Sequence, residues 1–256
     1  HHEEVFLPSW AHIRVLTYGS DWSMQIGRQT FFPVPRLSLC GPSSHAGIAP
    51  VSTGNLFGVS LSPRGWARLI RTNAARMADN IIPLSDVLPK QSEDIWSNVL
   101  EATDFSGQIA AMEAVLCQRL ASTKPEDDVI GRIEAVLLDP AIVTVEQAKA
   151  AIALPDWKFT RFVRQHFGFP PKLLIRRARF MRTILKIRET MDQPLASIVD
   201  EAYTDQSHFI RDCHDFLNMT PGQFAARFQP LAHAAFDARE KALGNRHHLV
   251  ADDKDA

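Results

Sequence analysis

The sequence predicts an α+β multidomain chain, with a β-rich N-terminal domain that carries helices and an all-α C-terminal domain. Up to residue 62, short apolar or alternating runs stand between turn-forming residues, which is typical of an antiparallel sandwich or partial barrel. From residue 129 to 228, apolar residues recur at helical spacing. The charge divides in the same way, because residues 1–140 hold 11 basic and 15 acidic residues, whereas residues 141–230 hold 13 and 9.

Length and composition limit the class of protein. At 256 residues the chain has room for one or two domains, and its 45% of apolar residues is enough for a buried core. No apolar run approaches the length of a transmembrane helix, and the first four residues lack the features of a signal peptide. Cys40, Cys117 and Cys213 are odd in number and far apart, which argues against disulfides and a zinc site. We therefore expect a cytoplasmic protein without a metal, cofactor or membrane partner.

The β-rich domain is predicted to span residues 1–78. Strands are expected at 5–7, 13–18 and 56–61, and a short helix is expected from residue 63 to about residue 71. Residues 79–122 are predicted to form a helical hairpin with helices at 94–100 and 107–121. The apolar positions Met112 and Val115 leave two alternatives open, because this hairpin either packs within the domain or forms a dimer seam. The polar residues 123–128 are predicted to be a linker.

A first helix-turn-helix unit is predicted between residues 144 and 168. Thr144 and Gln147 have capping-box spacing, and Pro155 ends the first helix. The second helix is amphipathic, with Phe159 on its apolar side and a basic, polar outer face. Such a face is expected of a helix that enters the major groove of DNA. The residues of this face are Trp157, Lys158, Thr160, Arg161, Arg164 and Gln165.

Residues 158–188 carry ten basic side chains and no acid, although the whole chain has 28 basic and 29 acidic residues. Positive charge concentrated on helices is what a polyanion such as DNA requires. Residues 172–188 are predicted to form one connector helix of roughly 25 Å between two helix-turn-helix units. Its basic residues, including Arg176, are expected to hold the structure together or to contact phosphates rather than bases.

A second helix-turn-helix unit is predicted after the connector. Asp205 is the expected cap of its second helix, and Phe209, Cys213 and Phe216 are spaced to face the core. A closing helix is predicted to begin at Thr220. The DNA-binding domain would thus span residues 129–230, and residues 231–256 would form a C-terminal tail. The outer face of the second helix carries Gln206, Ser207, His208 and Arg211.

The order and spacing of these motifs resemble the DNA-binding domain of AraC/XylS-type transcriptional regulators. The resemblance covers about 90 residues and rests on RFVRQHFG at 161–168, PLAxI at 194–198, YxDQSHF at 203–209 and TPGxF at 220–224. The N-terminal domain is more loosely similar to the β-rich sensory domains of some members, as a jelly-roll or cupin-like remnant. The chain departs from the family at Pro170, where Ser or Thr is usual, and in a segment at 198–202 that is one residue shorter.

The resemblance implies a bacterial transcription factor that places two recognition helices in adjacent major grooves of double-stranded DNA. Its implied partners are promoter or operator DNA, RNA polymerase, a small-molecule effector and a second copy of the chain. Base contacts would come from the two outer faces named above. The shorter segment at 198–202 predicts a tilt of the second unit, because a one-residue deletion turns later side chains by about 100°.

The N-terminal domain offers weaker candidates for an effector site. Arg64 and Arg68 share a helix face that either holds an anionic effector or is solvated, and Trp10 and Trp22 either line an apolar pocket or belong to the core. No set of catalytic or metal-binding residues converges, so the sequence does not predict an enzyme. The alternative to a regulator is a ligand- or partner-binding protein whose degenerate helix-turn-helix region no longer binds DNA specifically.

Overall fold

Two four-stranded antiparallel sheets form the β-rich domain within the described part of the chain. This computed structural model describes residues 3–19, 21–50, 54–88, 93–102, 104–122, 129–189, 199, 201, 203–227 and 229–243. The strands are β1 Glu3–Phe6, β2 Ala11–Gly19, β3 Met24–Ile26, β4 Gln29–Phe31, β5 Leu37–Cys40, β6 Gly47–Pro50, β7 Gly54–Leu61 and β8 Ile81–Pro83. One sheet has the order β1-β6-β3-β4 and the other the order β7-β2-β5-β8. Apolar residues of both sheets, among them Met24 and Cys40, pack in one layer, so the predicted sandwich is confirmed.

The strand β2 has the alternating burial that its sequence predicts, with Ile13 and Val15 buried between more exposed neighbours. It pairs with β5 on one side and with β7 on the other. The predicted strands at 5–7, 13–18 and 56–61 correspond to β1, β2 and β7. The strand β8 was not predicted, because three residues are too few to show a pattern. Since β8 pairs with β5, this sheet extends past residue 78, where the sequence placed the end of the domain.

Three helices cover the second sheet, and their apolar faces enter its core. They are α1 Pro63–Leu69, α2 Glu93–Glu101 and α3 Phe105–Ala121. Ser62 caps α1 by accepting a hydrogen bond from the Gly65 amide, and Asp104 caps α3 through the Gly107 amide. Met112 and Val115 are buried in the cluster that contains Trp66, so these two residues pack within the domain.

The described residues of the second half of the chain are largely helical. Their helices are α4 Val129–Leu138, α5 Val145–Ile152, α6 Asp156–Phe167, α7 Pro171–Glu189, α8 Gln206–Leu217, α9 Pro221–Ala225 and α10 Pro230–Leu243. The predicted linker at 123–128 lies outside the described residues. So do most residues of the shortened segment at 198–202 and of the first helix of the second helix-turn-helix unit. Residues 230–243, which were mostly assigned to a tail, form a helix whose Leu231 amide donates to the Glu4 carboxylate.

A single hydrophobic cluster joins the β-rich domain to the helical domain. Trp10 and Ala67 of the first domain pack in the same cluster as Phe159, Phe167 and Phe180 of the second. The Trp10 and Phe167 rings meet edge to face, with their centroids 5.7 Å apart. The two domains therefore share a core in addition to a surface contact.

Arg177 of α7 crosses this junction as a buried cation. Only 1% of the residue is exposed, and its Nη1 atom donates to the Ser43 carbonyl at 2.7 Å and to the Ser9 carbonyl at 3.3 Å. The guanidinium carbon lies 4.4 Å from the centroid of the Trp10 ring. Burial lowers the pKa of Arg177, and the Asp79 carboxylate opposes this shift. The connector helix is thus anchored in two loops of the β-rich domain.

The loop at residues 41–46 contacts the C-terminal ends of two helices of the other domain. Gly168 ends α6 at φ 88°, and a Cβ atom there would come within 2.9 Å of the Pro42 Cγ atom. The Ala46 amide donates to the Phe216 carbonyl near the end of α8 at 2.7 Å. Because this loop joins β5 of one sheet to β6 of the other, both sheets are connected to both helices.

A second polar group at the junction is Glu134 of α4. Arg64 of α1 lies across this helix, where its guanidinium occupies the space that a side chain at Gly131 would fill. Burial raises the pKa of the Glu134 carboxyl to about 7, and the Arg64 charge and the Trp10 indole only partly offset this effect. At neutral pH the junction therefore contains a carboxyl group close to its midpoint of ionisation.

Loss of the Arg177 side chain should destabilise the whole chain. Arg177→Ala leaves the Ser9 and Ser43 carbonyls without this donor and opens a cavity, which should lower the free energy of unfolding by about 3 kcal/mol. Lys172→Ala on the same helix is the matched control, because its exposed side chain should contribute less than about 0.5 kcal/mol. Urea titration followed by circular dichroism measures both variants. Equal midpoints for the two would contradict the anchoring role.

Glu134 should make stability depend on pH in a defined window. The folded chain binds its proton more tightly than the unfolded chain, so this group's contribution to stability falls from about pH 4.5 to about pH 7. Glu134→Gln should remove that fall. The stability of the variant relative to wild type should therefore be higher at pH 8 than at pH 5. Urea midpoints at the two pH values test this, with the exposed Glu113→Gln as a control for the lost charge. A relative stability that does not change with pH would refute the assignment.

Candidate nucleic-acid interface

The helix α6 has one buried face and one exposed face, as its sequence predicts. Phe159, Val163 and Phe167 are each 0% exposed. The helix follows a turn in which Ala153 adopts a left-handed conformation at φ 56°, and it ends at Gly168. Because the buried side is fixed by three well-packed residues, the orientation of the opposite side is fixed as well.

The exposed face of α6 presents cations beside an aromatic ring. Lys158, Arg161 and Arg164 are all exposed and follow one another at intervals of three residues. Trp157, at the start of the helix, is 69% exposed. This face also borders an open cleft of about 510 Å³, lined by Asn73, Ala75, Trp157, Thr160, Arg161, Arg164 and Gln165. The six residues predicted for the first outer face thus lie on one side of one helix, and five of them line the cleft.

The structure places Arg176 of the connector in contact with α8. Its Nε atom donates to Asp212 Oδ1 at 2.7 Å, its Nη2 atom pairs with Asp215, and its guanidinium stacks on the Phe216 ring. Hydrogen bonds and charge interactions with Asp212 and Asp215 raise the pKa of Arg176 despite partial burial. This arginine therefore joins the connector to the second unit.

Asp212 is the centre of this network, and sequence analysis did not single it out. Its side chain is 0% exposed, and it accepts from Arg176, from Arg179 at 3.3 Å and from the Tyr203 hydroxyl at 2.7 Å. Burial and the Asp212 carboxylate raise the pKa of Tyr203, so its hydroxyl stays protonated and donates. One signal was available in the sequence, because Asp212 lies between Phe209 and Phe216 on the apolar side of the helix.

The helix α8 presents a less basic outer face than α6. Asp205 caps it by accepting from the His208 amide at 2.8 Å, as predicted. Gln206, Ser207 and Arg211 are exposed, so this face carries one arginine. His208 is turned towards the connector, where its Nε2 atom lies 3.3 Å from Arg179 Nη2.

The four effector candidates lie in separate environments within the described structure. Trp10 is buried at the domain junction, whereas Trp22 packs against Phe6 inside the sandwich. Arg64 lies across α4, and the Arg68 guanidinium donates to the Leu120 carbonyl of α3 at 2.8 Å. An effector site built from all four residues is thus not assembled here. Cys213, considered at the level of sequence as a core residue, is fully buried, and burial raises the pKa of its thiol.

The helical half of the chain is similar to a known family of domains. Residues 149–227 match the family model for a helix-turn-helix domain of the AraC type, a span that runs from within α5 to two residues past the end of α9. Among solved structures, a variant of apo ToxT from Vibrio cholerae aligns with 88% of this chain and 93% of its own, at 10% sequence identity and a TM-score of 0.47. No curated protein sequence matches the chain. Within the described residues, no helix is long and apolar enough to span a membrane.

The acids of the connector network should differ sharply in their effect on stability. Asp212→Asn removes a buried charge that faces two arginines, so it should lower the free energy of unfolding by about 3 kcal/mol. Asp215→Asn is the matched control, because this side chain is 59% exposed and should contribute less than about 1 kcal/mol. Urea titrations of both variants at pH 7 measure the difference. A larger loss for Asp215→Asn would contradict the central role of Asp212.

Proposed function

We propose that this chain is a DNA-binding transcription regulator and that residues 149–227 form its AraC-type helix-turn-helix domain. The chain would bind an operator with α6 and α8 in successive turns of the major groove. The observation that carries the proposal is the exposed face of α6, on which cations and an aromatic ring are held by a fully buried opposite face. A rigid helix with such a face satisfies the requirements of groove insertion.

Individual roles follow from the chemistry of the side chains on α6. Arg161 and Arg164 can each form a bidentate pair with the O6 and N7 atoms of guanine. Trp157 offers an apolar surface to a thymine methyl group or to a sugar, and a large exposed aromatic side chain beside cations is typical of a binding surface. Lys158 follows Trp157 on the exposed side of α6 and would contact a phosphate.

We assign a smaller share of base contacts to α8. Gln206, Ser207 and Arg211 are exposed and are suited to hydrogen bonds with base edges or phosphates. His208 faces Arg179 and the Tyr203 ring, so we propose that it positions α8 on the connector. Arg176 has the same kind of role through Asp212 and Asp215. Specificity would therefore come mainly from the first unit.

We also propose that the β-rich domain controls DNA binding through the loop at residues 41–46. This loop packs against Gly168 at the end of α6, and its Ala46 amide donates to Phe216 near the end of α8. A shift of the two sheets, caused by an effector or by dimerisation, would move this loop and change the spacing of the two recognition helices. Spacing matters because successive major grooves on one face of DNA lie about 34 Å apart.

Arg161→Ala should reduce discrimination between DNA sequences. A cognate duplex is first selected from a random-sequence library with the full chain, and affinities for it and for random duplex are then measured. Loss of one bidentate contact should lower the ratio of these affinities by about 5- to 150-fold. Arg36→Ala is the control, because this exposed arginine precedes β5 in the β-rich domain and should leave the ratio unchanged.

The same titrations test whether binding is electrostatic. Wild-type affinity should fall by about 10³-fold or more between 50 and 200 mM salt if six or more phosphates are contacted. Binding that does not depend on salt would refute groove insertion. An Arg161→Ala variant with full discrimination would favour the alternative of a degenerate helix-turn-helix region.

A further inference from the structure

A segment of the β-rich domain lies along the flank of α6. Residues 71–76 lead from α1 through a 3₁₀ turn at Ala74–Arg76, and Asn73 and Ala75 line the same cleft as Arg161 and Arg164. Ala74 is fully buried, and its carbonyl oxygen lies 3.5 Å from the position that a Cβ atom would take at Gly168. The flank of the first recognition helix is therefore formed in part by another domain.

Hydrogen bonds hold this segment in one conformation. The Trp66 indole donates to the Thr72 carbonyl at 2.7 Å, and the Arg71 amide donates to the Trp66 carbonyl at 3.0 Å. Asn73 caps the 3₁₀ turn by accepting from the Ala75 amide at 3.0 Å. Because the segment is ordered by folding, it would lose little conformational entropy on binding a partner.

The exposed side of the segment is basic and polar. Arg71, Thr72, Asn73 and Arg76 are all exposed, and residues 71–78 contain no acid. In the part of the chain that the structure describes, no carboxylate pairs with Arg71 or Arg76. The charge of Arg71 also contributes, after burial, to the lowered pKa of Arg119, which indicates that positive charge accumulates here.

The dimensions of DNA determine what lies beside this segment when α6 is in the groove. The major groove is about 12 Å wide, and a helix with its side chains is about 10 to 12 Å across. A helix in the groove fills its width, so an element packed against the helix flank must lie over the groove edge. Phosphates form that edge.

We propose that residues 71–76 are a third DNA-contacting element, in which Arg71 and Arg76 bind phosphates at the edge of the groove that α6 enters. This inference rests on the proposed function, because it requires α6 in the groove. The opposite role, in which the segment blocks α6, is disfavoured by charge, since exposed arginines beside the groove attract phosphates. Contacts of this kind add affinity without sequence preference.

The test compares full-length variants on the cognate and random duplexes between 50 and 200 mM salt. Loss of two phosphate contacts in the double variant Arg71→Gln with Arg76→Gln should make the slope of log affinity against log salt shallower by about 1.8. The loss of affinity relative to wild type should therefore be about 12-fold smaller at 200 mM salt than at 50 mM salt. Both duplexes should lose affinity by the same factor, so their ratio should not change.

Two further variants separate electrostatic from structural effects. Arg71→Lys with Arg76→Lys keeps both charges and should retain the wild-type slope. Arg36→Gln removes one charge beside the first residue of β5. Residues 71–76 lie near the other end of this strand, where Gly41 packs against Met77. This variant should also retain the wild-type slope.

Each remaining outcome contradicts a different proposal. An unchanged slope in the double glutamine variant would refute the phosphate contacts, and tighter binding would show that the segment blocks α6. Either result leaves the proposed function intact, provided that wild type binds with a steep dependence on salt and Arg161→Ala loses discrimination. A wild-type chain that binds DNA independently of salt would instead refute the proposed function itself.

Discussion

The buried guanidinium of Arg177 is the interaction on which the arrangement of the two domains depends. A buried cation is unfavourable unless its donors find acceptors, and here Nη1 donates to the Ser9 and Ser43 carbonyls, whereas Nη2 has no hydrogen-bond partner in the described structure. Both acceptors belong to loops of the β-rich domain, so they are in place only when that domain is folded. The Trp10 ring under the guanidinium belongs to the shared core, which couples the polar contact to the burial of apolar surface.

The arginines that follow one another on the connector have different partners. Successive residues of a helix point about 100° apart, so Arg176 and Arg177 face different sides. Arg176 joins Arg179 on Asp212 of α8, whereas Arg177 enters the β-rich domain. These three charges are therefore used inside the protein. By contrast, Lys158, Arg161 and Arg164 of α6 lie on an exposed outer face, which is why we assign most of the base recognition to that helix.

Elements of the β-rich domain flank α6 at two places. The loop at residues 41–46 packs at its C-terminal end, and the segment at residues 71–76 lies along its side. Under the proposals made above, DNA would be bound by a surface to which both domains contribute. The state of the β-rich domain and the affinity for DNA would then be linked, because DNA would favour whichever arrangement of the domain fits the groove.

The sequence by itself determined the division into a β-rich and a helical domain, the caps at Thr144 and Asp205, and the outer face of α6. These features depend on local periodicity and on side chains that bond neighbouring backbone atoms, and both can be recognised within a few residues. It assigned Arg176 and Arg177 to the connector, with a structural or phosphate-contacting role, but it did not identify their partners. Only the tertiary structure assigned them to Asp212 and to the Ser43 carbonyl, because these partners lie 36 and 134 residues away along the chain. The strand β8 and the position of residues 71–76 likewise depend on contacts between distant segments, which no local pattern encodes.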